Sequence, residues 1–235
     1  MTPTSQLEIP IRRIFWVLVA GALALVALDW IPGLLQRFAD VRVPAWVVRR
    51  VSLDGEANLP AWFSTMLLGA VSLTALLNHW LQPPARNLIR RGFWLVLGMA
   101  FAFLSLDEAA QLHELIDNRS HGQQKWVFYY APVAAAFLLA CVYYLVRLRR
   151  DRPALRNWIL GGMLAYVSGA LLAEYVSWLP SFPGSAADVE VVLEESLEML
   201  GAILIWMGCL HELQHLHNAL FARRRPLAAG SGSQP

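Results

Sequence analysis

The feature that most constrains this chain is a set of six apolar runs, each close to the roughly 20 residues that a helix needs to cross a bilayer core. They are Ile14–Leu35, Ala61–Leu81, Gly92–Ile116, Val127–Leu148, Asn157–Leu179 and Val189–Leu216. With 57% hydrophobic and only 15% charged residues, the composition is that of a polytopic membrane protein. The expected fold is therefore all-α, a bundle of six transmembrane helices. Residues 1–221 form one transmembrane domain, and the Arg-, Gly-, Ser- and Pro-rich stretch 222–235 forms a disordered cytoplasmic tail.

Interfacial tryptophans support these spans. Trp16 and Trp30, Trp62 and Trp80, and Trp158 and Trp178 bracket three runs, and Trp94 and Trp126 open two more. Six spans put both termini on one side, and the distribution of Arg identifies it. Arg12, Arg13, Arg86, Arg90, Arg91, Arg147, Arg149, Arg150, Arg152, Arg156 and Arg223 to Arg225 fall on the side of the termini. The positive-inside rule makes that side cytoplasmic. The net charge of +2 follows from this orientation and gives no basis for nucleic-acid binding.

Several polar residues have modest expected roles. Asp29 lies at the outer end of the first run, where water solvates it, and His79 is interfacial. Val43–Leu53 suits a segment on the membrane surface, with Trp46 inward and Arg49 and Arg50 outward. Cys141 and Cys209 read as small core residues. The fourth run has no ionisable residue between Val127 and Val146. Its small residues Ala131, Ala134, Ala135, Ala136 and Ala140 suit close helix contact and offer a homo-oligomer interface.

Length arithmetic brings acidic residues into the membrane. Between Glu198 and His211 the sixth run has Met199 to Leu210, about 18 Å of helix, and the third run has Phe93 to Leu106, about 21 Å, before Asp107. Neither stretch crosses a bilayer without taking in carboxylates. Asp107, Gln111 and Glu114 fall on one stripe of the third helix, with Glu108 beside it; Glu190, Glu194, Glu198, Gly201, Ile205 and Gly208 fall on one stripe of the sixth, flanked by Glu195. Glu174 reaches the same outer level from the fifth run.

Carboxylates at that depth need protons, a cation or a basic partner, and no Lys or Arg lies within these stretches. With His113 they form an oxygen and nitrogen ligand set suited to one or two divalent ions of Fe, Mn or Zn. The expected metal ligands are Asp107, Glu108, His113, Glu194, Glu195 and Glu198, with Glu114 and Glu174 as catalytic carboxylates. The corresponding function is a metal-dependent hydrolase or oxidase acting on a membrane lipid or another apolar substrate. The alternatives are a proton- or cation-coupled transporter and a non-catalytic membrane scaffold.

The segments LSLDEAAQLHE (Leu104–Glu114) and EESLEMLG (Glu194–Gly201) resemble those of bacterial polytopic membrane proteins of unassigned function. That resemblance implies a location in the bacterial cytoplasmic membrane and no particular activity. Ser105, Asp107, His113, His211 and His215 are also similar in type to the zinc-site residues of alkaline-ceramidase-like membrane hydrolases. Those enzymes use a Ser-x-x-x-His spacing that is missing here, and His211 and His215 belong to the opposite membrane face. The ceramidase zinc site is therefore not carried over.

Overall fold

The computed structural model describes residues 7–83, 88–112, 126–148, 151–177 and 184–223. All the regular structure among them is helical. In chain order, α1 is Ile11–Ala39, α2 is Ala45–Val51, α3 is Leu59–Leu81 and α4 is Leu88–Ala110. They are followed by α5, Trp126–Tyr143, which ends in a π-helical turn at Tyr144–Leu148; α6, Pro153–Ser177; and α7, Gly184–Arg223. Among the described residues α1, α3 and α4 are long and apolar enough to cross a membrane.

Each of the six apolar runs overlaps one long helix, and the short α2 occupies the surface segment between the first two. The third run departs from expectation at its end. Gln111 takes a left-handed backbone, φ 56°, and its N–H bonds the Asp107 carbonyl, so α4 stops at Ala110. Of the expected stripe of Asp107, Gln111 and Glu114, α4 carries Asp107 and ends before Gln111, and Glu114 lies outside the described residues. Ile116, the expected end of that run, lies outside the described residues. Helix α7 is longer than its apolar run, 40 residues, and continues to Arg223, past the expected start of the tail at residue 222.

Close helix contact is encoded by glycines at two crossings. On α6 and α7, a Cβ placed on Gly162 would lie 2.7 Å from the Gly201 carbonyl oxygen and from Ile205 N. One placed on Gly201 would lie 2.6 Å from Tyr166 N, and one on Gly169 would lie 2.8 Å from the Glu194 carbonyl oxygen. Only glycine permits backbones to approach so closely. Between α3 and α4, Gly98 admits Leu76, and two hydroxyls tie the helices: Ser72 Oγ donates to Gly98 O at 2.8 Å and Ser105 Oγ to Thr65 O at 3.0 Å.

Helices α3 and α7 run in the same direction. Trp206 Nε1 donates to Thr74 Oγ1 at 2.9 Å, Asn78 Nδ2 to Cys209 O at 2.9 Å and Gln82 Nε2 to Glu212 Oε1 at 3.1 Å. Rising numbers on one helix match rising numbers on the other. The contacts of α4 with α3 and of α6 with α7 run the opposite way, as in an up-and-down bundle.

The core between these helices holds Leu67, Leu68, Val71, Trp94, Leu97, Leu145, Ile159 and Ile203. Phe93 and Tyr144 stack with centroids 3.9 Å apart, seating α5 against α4. At one end of the bundle Leu7 N donates to Asn218 Oδ1 at 3.0 Å and Ile9 N to Gln214 Oε1 at 3.1 Å. The described start of the chain therefore sits beside the end of α7. At the other end Asp29 Oδ1 accepts from Leu53 N at 3.2 Å. Asp29 fastens the loop after α2 and is not simply solvated.

Candidate functional site

The two glycine-mediated crossings also position the acids. Ser105 is fixed to the Thr65 carbonyl, so Glu108, one turn further along α4, stands over Ser64 on α3. On the other side Gly169 lets α7 approach until a Cβ on it would touch Glu198 Cγ at 3.1 Å, and Gly201 brings in the backbone of Tyr166. Four helices meet around one small cavity. It is lined by Ser64 and Leu68 of α3, Glu108 of α4, Tyr166 of α6, and Glu198, Met199 and Ala202 of α7.

The room inside, about 10 Å³ for the centre of a water molecule, is the size of one water or one small cation. Among the described residues, the charges acting around the cavity are of one sign. The carboxylates of Glu198, Glu108, Glu195 and Asp107 all act electrostatically on the Tyr166 hydroxyl. The charges acting on Glu198 are those of Glu195, Glu194 and Glu108, and Asp54 reaches Glu194 and Glu195 from the loop before α3. All five acids expected on α4 and α7 are half-buried.

Asp107, Glu108, Glu194, Glu195 and Glu198 are thus brought into one cluster. Glu174 belongs to α6, and its side chain lies outside the described residues, as do His113 and Glu114. Among the described residues no three His, Cys, Asp or Glu side chains converge closely enough to hold a metal ion as they stand. Tyr166 and Ser64 are additional cavity residues. Tyr166 had a sequence signal: at i+4 from Gly162 and i−3 from Gly169, it stands on the glycine face of α6.

A second polar group lies at the other end of the bundle. Glu212 is 1% exposed and accepts from Gln82, while Arg152 Nη2 approaches its second oxygen at 3.7 Å. Asn78, fully buried, holds the Cys209 carbonyl one turn away. His211 stacks on Trp158 with centroids 6.4 Å apart, and His79 Nδ1 bonds the Arg91 carbonyl at 2.8 Å. This group pairs its carboxylate with a cation, whereas the Glu108–Glu198 cluster collects carboxylates around a cavity.

The profile of a family described as a domain of unknown function, DUF8692, matches residues 14–213. The chain belongs to this family. The matched segment runs from the start of α1 to residue 213 of α7 and includes every cavity residue of the DUF8692 fold. No curated protein and no solved structure matches the chain.

Proposed function

We propose that this DUF8692 chain is an integral protein of the bacterial cytoplasmic membrane, with six spans and both termini in the cytoplasm. Its working centre is the cavity between Glu108, Tyr166 and Glu198. There the acids of the outer half of the membrane exchange protons for one divalent cation. The protein works as a metal-dependent hydrolase or oxidase on a lipid or another apolar substrate reaching the cavity from the bilayer. The observation that carries this proposal is the meeting of Glu108 from α4 with Glu198 from α7 on one cation-sized cavity, where among the described residues every charge acting on Glu198 is another carboxylate.

The chemistry follows from that arrangement. Carboxylates this close repel one another in a poorly hydrated site, and the repulsion is relieved by protons or by a cation. Side-chain shifts of Glu108 and Glu198, which line the cavity, would put two carboxylates on one Mn, Fe or Zn ion, to which His113 would add a nitrogen. A bound ion supplies Lewis acidity and lowers the pKa of water. Glu195, beside the cavity, is placed to accept a proton, and the Tyr166 hydroxyl to orient an oxygen of the substrate.

A second function, proton- or cation-coupled transport, is favoured by one specific feature. The acids of two helices share charge within a membrane bundle, which suits reversible ion uptake. The exposed small residues Ala134, Ala135 and Ala136 of α5 remain the surface best suited to a homo-oligomer.

Proton counting tests the central exchange. Adding Mn²⁺ or Zn²⁺ to the detergent-solubilised protein in weak buffer is expected to release about one or two protons per ion bound, and Glu198→Gln and Glu108→Gln are each expected to abolish the release. Cation uptake with no proton release, or release unchanged in both variants, overturns the exchange. Ion flux into liposomes carrying the wild-type protein would favour the carrier over the enzyme.

A further inference from the structure

The start of α1 forms a groove that the acidic cavity leaves unused. It is lined by Ile9, Arg12, Arg13, Trp16, His211 and Gln214 among others, and holds about 900 Å³ of open space. Its floor is tied down: Gln214 accepts from Ile9 N, and Asn218 both accepts from Leu7 N and donates to Leu7 O. Its polar rim is positive. Arg12 and Arg13 are exposed, and neither has an ion-pair partner among the described residues. Helix α1 has no side-chain cap and no acid in its first turn, so the positive end of its dipole faces the same space. The one acid nearby in sequence, Glu8, is not part of the lining.

The other wall of the groove is apolar. Trp16 is 57% and Val17 70% exposed, and the most apolar stretch of α1 continues this surface without a buried residue. Two unpaired cations at the head of a lipid-facing helix, with an interfacial tryptophan beneath them, match the chemistry of an amphiphilic anion. A free phosphate would have no use for the apolar wall.

We infer that the Arg12–Arg13–Trp16 groove binds the headgroup of an anionic phospholipid of the cytoplasmic leaflet, with its acyl chains lying along α1. This inference shares with the proposed function only the cytoplasmic placement of the start of α1. The two fail separately, because Arg12 and Arg13 are remote from the acids and Glu198 is remote from the groove.

To test it, the full-length protein in neutral detergent is equilibrated with equal amounts of short-chain phosphatidylglycerol and phosphatidylcholine, and retained lipid is read by native mass spectrometry. Phosphatidylglycerol is expected to be retained over phosphatidylcholine by roughly an order of magnitude, as two surface arginines allow. Arg12→Gln/Arg13→Gln is expected to remove the preference, while Arg90→Gln/Arg156→Gln, which removes the same charge elsewhere, keeps it. Gel filtration and helical circular dichroism confirm that each variant is folded. Equal retention of the two lipids overturns the inference, as does equal loss in both double variants. Displacement of phosphatidylglycerol by equimolar inorganic phosphate also overturns it, by making the groove a site for free anions.

Discussion

Gly161 and Gly162 are neighbours on α6, yet the structure assigns alanine opposite effects at the two positions. A Cβ at Gly161 meets nothing within 4 Å, so Gly161→Ala only removes backbone freedom from the unfolded chain. That is worth about 0.5–1 kcal/mol of added stability. At Gly162 the same methyl would stand 2.7 Å from Gly201 O, from Ile205 N and from Ile205 Cγ1. An ordinary contact begins near 3.4 Å, so α7 must retreat by roughly 0.7 Å, and two of the three obstructing atoms are backbone.

Overpacking of this kind costs about 1–3 kcal/mol, which outweighs the entropic gain. In a chain of this length a kilocalorie corresponds to about 2–4 °C. Thermal unfolding in one detergent should therefore show Gly161→Ala melting a few degrees above the wild type and Gly162→Ala several degrees below it. The retreat also moves Glu198, about one turn from Gly201, away from Tyr166, so Gly162→Ala should weaken cation uptake as well. Equal shifts for the two variants would refute the glycine-mediated crossing.

Three further predictions concern charge and topology. Glu198→Gln removes a carboxylate that others repel, so the metal-free variant should melt roughly 2–4 °C above metal-free wild type in calorimetry; a lower melting temperature would show that its charge is already compensated. Arg152→Gln withdraws a cation from buried Glu212 and should cost about 1–3 kcal/mol in denaturant unfolding, with most of it recovered in Arg152→Gln/Glu212→Gln; no recovery would mean that the 3.7 Å pair is incidental. Single cysteines at residue 5 and residue 230, placed in a background lacking Cys141 and Cys209, should both react with an impermeant thiol reagent only in inverted vesicles; labelling of either from outside would break the six-span topology.

The helical runs were legible because bilayer thickness demands them. The glycine face was legible too, since Gly201 and Gly208 recur on the stripe of α7 that carries Glu194 and Glu198, and they meet α6. Length arithmetic put Asp107, Glu108, Glu194, Glu195 and Glu198 at one level, because it gives depth along the membrane normal. Depth says nothing about neighbours around the bundle. The glycines on either side of Tyr166 mark the α6 face that meets α7, but for that reason nothing in the sequence placed its ring beside the acids.

Three other features depend on distant partners that no local pattern announces. Gln111 breaks α4 through a left-handed backbone that glutamine rarely adopts. Glu212 is buried on α7 because Gln82 and Arg152, from other parts of the chain, reach it. Asp29 read as a solvated acid until the loop after α2 supplied the Leu53 N–H.

The most direct test of the account is the metal content of the protein as purified without chelator, measured by elemental analysis on wild type, Glu108→Gln and Glu198→Gln. The account predicts about one Mn, Fe or Zn per wild-type chain and close to none in either variant. A wild-type protein that carries no metal and takes up none when these ions are added would contradict it.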